Sequence, residues 1–185
     1  EEVAKTKPAN LESFLAQKYS KEPNLTIDQY RATIVQVIGE NIQIKRIQTL
    51  EQQADKSIGL YSHLGGKIVT AVEITGDKGQ DDLARDVAMH VAAAEPTYLN
   101  PSQVPQTIID QEKDIAKTQL KGKPENIIDK ILTGKIEAYF NQVCLTRQPY
   151  IRDDSKTVEA YVAERAKTLG KPLTLANFLR WKVGQ

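Results

Sequence analysis

The chain has 185 residues, with 25 Lys and Arg against 24 Asp and Glu, a formal net charge of +1. So even a balance leaves no global field for nucleic acid or a membrane surface, and the apolar runs are too short for a transmembrane helix. The single cysteine, Cys144, excludes an internal disulfide and fits a reducing compartment.

No basic-then-apolar opening marks a signal peptide, and both ends read as cuts in a longer protein. Residues 1–7 read as the tail of a helix that Pro8 interrupts. Leu11, Phe14, Leu15 and Tyr19 recur at three- and four-residue spacing, which predicts a short amphipathic helix over 10–20 with Asn10 as its cap. Residues 21–25, with Pro23, read as a loop. Thr26 opens a stronger helix whose apolar face is Ile27, Tyr30, Ile34, Val37 and Ile38. Asp28 sits in its first turn, where the dipole favours an acid, and Gly39 suits the left-handed residue that closes a helix.

The pattern then changes to period two. Ile42, Ile44 and Arg46 alternate with Gln43, Lys45 and Ile47, which predicts a strand over 41–50. After a polar break at 51–56 comes the run 57–63, and then Ile68, Thr70, Val72 and Ile74 alternate with Val69, Ala71 and Glu73. These two runs predict a hairpin turning at Leu64, Gly65 and Gly66. Asp81 and Asp82 load the start of a helix over 80–95, on which Leu83, Val87 and Val91 repeat every fourth residue. Ala84, Ala88, Ala92 and Ala93 keep this helix thin enough for a close neighbour, and Pro96 stops it.

Pro105 opens a helix over 106–120, a tight connection follows at 121–124, and a second helix returns over 125–141. Ile128, Ile131, Leu132, Lys135 and Tyr139 form one stripe of the returning helix. The narrow seam predicts a projecting antiparallel helical hairpin, close to a coiled coil and ~22 Å long. Short extended pieces at 143–145 and 149–151, a helix over 155–169 and a strand over 178–183 complete the chain. The last strand adds to the hairpin as an antiparallel sheet of about three strands. The fold class is α+β, with small antiparallel sheets packed with helices and a helical hairpin standing out from them.

No enzyme constellation is visible. Leu64, Gly65, Gly66 and Lys67 have neither the length nor the following Ser or Thr of a P-loop, so they read as a turn. The histidines, His63 and His90, are far apart and no carboxylate repeats at ligand spacing, so no metal or cofactor is expected. Cys144 reads as a small hydrophobe, because no histidine or basic cluster flanks it. His63, at a strand end beside a turn, is presented rather than buried, whereas His90 reads as a partly buried helix residue bonded to a neighbour.

Several stretches resemble the bacterial elongation factor Ts family: IGENIQIKR, the Tyr-Ser-His turn, DVAMHVAAAEP, KGKPENIIDKILTGKIEAYFNQVCLTRQPYI, SKTVEAYV and FLRWKVG. The resemblance runs from about Arg31 onward and holds in order and spacing. It implies a cytoplasmic exchange factor that binds elongation factor Tu with GDP and promotes GDP release, without chemistry of its own. It implies that Ile38 and Gly39 meet the nucleotide domain of elongation factor Tu. His63 matches the family histidine that contacts the same partner, with Leu64 standing as an extra residue after it. Residues 1–52 would be the remainder of a first core subdomain and 53–185 a second, with the arm at about 105–142. The family's Thr-Asp-Phe-Val motif, which acts beside the magnesium site, does not occur in the sequence, so weak binding and poor exchange are expected. A competing expectation is a homodimerising interaction module without exchange activity, since the strand at 41–50 would offer unpaired edges. Direct nucleic-acid binding through Lys121 and Lys123 is disfavoured by the near-zero charge and the lack of interleaved aromatics.

Overall fold

The computed structural model describes residues 1–120 and 124–185, so the tight connection expected at 121–124 lies, apart from Pro124, outside the described residues. The chain divides into two compact units, Glu1–Glu51 and Gln52–Gln185.

In the first unit, α1 (Glu2–Thr6) precedes α2 (Leu11–Ala16), and the Asn10 side chain accepts from the Ser13 N–H at 2.8 Å as expected of a cap. That helix stops at Ala16, short of residue 20, because the chain next forms a miniature hairpin, β1 (Lys18–Tyr19) with β2 (Glu22–Thr26). Lys18 pairs with Thr26 and Tyr19 with Glu22, so residues 23–25 bulge between the rungs and Pro23 owes the ladder no N–H. A loop reading of 21–25 misses this, since two rungs are too few to show a period. α3 (Ile27–Ile38) then starts on a capping box between Thr26 and Gln29 and ends on Gly39 at φ 78°.

The second unit opens with β3 (Lys56–His63) and β4 (Ile68–Thr75), followed by α4 (Asp81–Ala94). Next come α5 (Gln106–Gln119) and α6 (Glu125–Val143), whose seam is Ala116, Leu120 and Leu132 with Ile128 and Ile131 against them. β5 (Pro149–Tyr150) and β6 (Asp153–Thr157) form a second miniature hairpin, and α7 (Val158–Leu169) and β7 (Thr174–Lys182) finish the unit. Two expectations need correcting here. Of residues 143–145 only Cys144 is extended, in a bridge to Tyr98: α6 runs to Val143 and a 3-10 turn follows at Leu145–Arg147. The last helix begins at Val158, not 155, because residues 153–157 are taken up in pairing with β5.

β3, β4 and β7 make the antiparallel three-stranded sheet in that order. α4 covers one face, and Leu83, Val87 and Val91 are fully buried against Val72, Ile74, Leu145 and Val158. The small residues of α4 do bring a strand close: a Cβ built on Gly59 would lie 2.0 Å from the Arg85 nitrogen and 2.1 Å from the Ala84 carbonyl carbon. Two buried hydroxyls fasten the layers. Thr70 donates to the Ala88 carbonyl at 2.7 Å, and Ser57 Oγ accepts from the N–H groups of Gly79 and Gln80 at 3.0 and 2.8 Å.

The two units contain the same motif twice. Pro149 pairs with Thr157 and Tyr150 with Asp153, as Lys18 does with Thr26 and Tyr19 with Glu22. The Ile27 N–H donates to the Gln17 carbonyl, and the Val158 N–H to that of Gln148, both at 3.0 Å. Each hairpin leads into a 12-residue helix, Thr-capped at its start and closed by a left-handed glycine, Gly39 or Gly170. The tyrosine rings pair in both copies, Tyr19 with Tyr30 at 4.5 Å and Tyr150 with Tyr161 at 4.3 Å. By this correspondence Ile42 and Ile44 stand where Leu173 and Leu175 stand at the entry to β7.

That correspondence explains the failure of the strand expected over 41–50, where the described residues form no ladder. Its counterpart β7 is a strand because β4 lies beside it. In the first unit β1 and β2 are the described strands, and they pair with each other. Alternating side chains without a neighbouring strand do not make a sheet.

Candidate functional site

Ile38 and Gly39 lie in the first unit and His63 in the second. Ile38 is the last residue of α3 and is 55% exposed; Val37 beside it is 84% exposed. The Gly39 N–H donates to the Val35 carbonyl at 2.8 Å, which fixes the turn and holds Ile38 outward. A Cβ built on Gly39 would meet nothing within 4 Å. The equivalent turn at Gly170 is fastened: Lys171 Nζ sits 2.6 Å from Asp77, and a Cβ on the nearby Gly76 would fall 2.0 Å from the Pro172 carbonyl oxygen. Of two turns built alike, the one carrying Ile38 is open to a partner. Beside it, Phe14, Tyr19, Tyr30, Ile34, Ile42 and Ile44 line an apolar groove of about 500 Å³.

His63 is the last residue of β3, paired with Ile68 and exposed. Leu64, Gly65 and Gly66 follow at φ 51°, 66° and 91°, so three successive left-handed residues turn the chain. Glycine adopts that conformation freely, whereas leucine there is strained by ~1–2 kcal/mol. Leu64 is 62% exposed in this turn. Tyr61, two residues earlier on the same strand face, places its hydroxyl 3.4 Å from His63 Nδ1. Motif reading included Tyr61 in the Tyr-Ser-His turn but gave it no role, although the period of two along β3 would have paired it with His63.

His90 is fully buried, beyond the partial burial expected. Its Nδ1 accepts the Ile151 N–H at 3.3 Å, so Nε2 carries the proton and donates to Gln148 Oε1 at 3.0 Å. Burial pushes its pKa down, and the Gln148 bond opposes that more weakly. The Gln148 amide nitrogen donates to the carbonyls of Ala94 at 3.2 Å and Gln142 at 2.7 Å, joining the ends of α4 and α6. This arrangement is structural and unavailable to a partner. Cys144 is buried as well, and burial raises its thiol pKa, which removes nucleophilic character.

The other face of the sheet carries Ile58, Leu60 and Val69, and register places Leu60, Ala71 and Leu179 in one row and Ser62, Val69 and Trp181 in the next. Leu60 is 61% and Val69 39% exposed. Among the described residues no group of three or more His, Cys, Asp and Glu is placed to hold a metal ion, and no helix is long and apolar enough to cross a membrane.

The profile of the family described as Elongation factor TS matches residues 1–185. Elongation factor Ts of Protochlamydia amoebophila (strain UWE25) is 60% identical over 184 residues, which is 100% of this chain and 65% of that protein. Elongation factor Ts of Chlamydia muridarum (strain MoPn / Nigg) is 36% identical over 183 residues, 99% of this chain and 65% of that protein. Elongation factor Ts of Chlamydia caviae is 37% identical over 184 residues, with coverage of 100% and 65%. The chain therefore spans about 65% of the length of these curated relatives.

Proposed function

This chain belongs to the elongation factor Ts family, and on that premise we propose that it promotes the release of GDP from elongation factor Tu during protein synthesis in the cytoplasm. The observation that carries the reading is the family match over residues 1–185. No bond is made or broken by the factor. It acts by binding the nucleotide-free state more tightly than the GDP state, since only a difference in affinity moves an equilibrium. Each tenfold shift takes about 1.4 kcal/mol of such difference.

Ile38 and Gly39 act as a small apolar anchor for the nucleotide domain of elongation factor Tu. The exposed side chain on a closed helix end supports this, because it enters an interface with little conformational entropy left to lose. His63 supplies a polar contact from the strand end. Residues 1–52 act as the remainder of a first core subdomain and 53–185 as a second with its helical arm.

The test loads elongation factor Tu with a fluorescent GDP analogue and follows its release into excess unlabelled nucleotide, with and without the chain. Faster release is expected, less marked than with a longer relative, because the sequence contains no Thr-Asp-Phe-Val motif. His63→Ala is expected to weaken the effect by roughly fivefold or more, the loss typical of an interface residue that matters. Unchanged release at every chain concentration, with no retention of the chain by immobilised elongation factor Tu, would refute the reading.

A further inference from the structure

We propose that Tyr61 is a positioning residue for His63: it holds the imidazole in one orientation with the proton on Nε2, so that an N–H donor faces the partner. The proposal rests on the reading of His63 as a contact with elongation factor Tu. Tyr61 and His63 are two residues apart on β3 and share a face of the strand. Their ring centroids are 6.1 Å apart with planes inclined by 22°, and Tyr61 Oη lies 3.4 Å from His63 Nδ1.

The two rings differ in how firmly they are held. Tyr61 packs against the main core and lines a recess with Arg85, Asp86 and Met89, so its ring is fixed by α4. His63 is exposed and is followed directly by three left-handed residues. The rigid ring therefore orients the free one. The direction of the bond follows from acidity. A phenol is a stronger acid than a neutral imidazole N–H, and an unprotonated imidazole nitrogen is a better acceptor than a phenolic oxygen, so the hydroxyl donates to Nδ1. A neutral ring that accepts at Nδ1 carries its hydrogen on Nε2.

Long-range nitrogen–proton correlation NMR of the chain alone reads the tautomer directly, and His63→Ala assigns the signals. The Nε2–H form is expected to dominate at His63. In Tyr61→Phe, which keeps the ring and its packing, the ratio should move towards that of free imidazole. Kd for elongation factor Tu with GDP should rise by roughly two- to tenfold, the range of one hydrogen bond. In a His63→Ala background Tyr61→Phe should leave Kd unchanged. An unaltered tautomer ratio in Tyr61→Phe would overturn the proposal, as would an equal loss of affinity in both backgrounds. If the chain does not bind elongation factor Tu at all, the functional reading falls, while the tautomer ratio still decides the role of Tyr61.

Discussion

Replacing Gly59 by alanine adds one methyl group at the point where β3 runs closest to α4. That methyl would sit 2.0 Å from the Arg85 nitrogen and 2.1 Å from the Ala84 carbonyl carbon, where ordinary contact begins at 3.4 Å. Both neighbours are backbone, so no side chain can swing aside, and the helix must retreat by ~1.4 Å to reach van der Waals distance. A retreat of that size stretches the 2.7 Å bond from Thr70 to the Ala88 carbonyl beyond hydrogen-bonding range and leaves the buried hydroxyl only its longer, 3.4 Å bond to the Tyr61 carbonyl. Overpacking costs about 1–3 kcal/mol and a poorly paired buried polar group about 1–3 more, so a loss of roughly 2–6 kcal/mol is expected. Urea unfolding followed by fluorescence measures it, since the chain's single tryptophan, Trp181, lies in β7 of the same sheet. At a slope of about 2 kcal/mol per M, the midpoint should fall by ~1–3 M. A loss below about 1 kcal/mol would refute the close-approach argument. Gly134→Ala is the control of opposite sign: nothing lies within 4 Å of a Cβ there and the site is exposed on α6. It should raise helix stability by roughly 0.5–1 kcal/mol in far-ultraviolet circular dichroism melts.

Thr70→Val keeps the shape and removes the hydroxyl, and should lower stability by about 1 kcal/mol in the same urea assay; no change would mean that the bond to Ala88 contributes nothing net. Burial lowers the pKa of His90 from 6.5, so the unfolded chain takes up the proton first as pH falls. The His90 contribution to stability is accordingly complete above the unfolded pKa and declines from there until pH reaches the folded value. The slope is at most about 1.4 kcal/mol per pH unit, and urea melts between about pH 7 and pH 5 should resolve it. Equal stability across that window, or the same decline in a His90→Gln chain, would contradict it. Ile38→Ala removes an exposed side chain and should change stability by less than ~0.5 kcal/mol. Its effect should appear instead in affinity for elongation factor Tu, read by calorimetry, and undiminished binding would remove Ile38 from the proposed contact.

The long elements were legible from pattern alone. α3, α4 and the β3–β4 hairpin each combine a clear period with its own punctuation: Thr26 and Gly39 bracket the first, Asp81 and Pro96 the second, and Leu64, Gly65 and Gly66 turn the third. The miniature hairpins were not legible, because each has two rungs and a bulge, and the bulge residues read as loop in the first and as the start of a helix in the second. Their recurrence was also hidden, since the copies share scattered identities such as Gln17 with Gln148, Tyr30 with Tyr161 and Gly39 with Gly170. Residues 41–50 show how far period two reaches. It reports which side chains would face together, whereas a strand also requires a neighbour, and that is a tertiary fact. At the candidate site, the exposure of His63 followed from its place at a strand end, whereas Ile38 and Val37 read as part of the apolar face of α3 and are exposed. Tyr61 stood in the Tyr-Ser-His motif with no role attached, because what it does depends on geometry.

The carboxamide of Gln148 is bonded at three points, to His90 and to the carbonyls of Ala94 and Gln142. It therefore works as the pivot of a lever. α6 has 19 residues and so extends ~28 Å from its end beside that pivot. A rotation of ~10° at the pivot would sweep the far end of the helix through ~5 Å. The N–H groups of Thr97 and Tyr98 hold the Val143 carbonyl at the same place, at 2.9 and 3.0 Å, so the direction of the arm is encoded at its base.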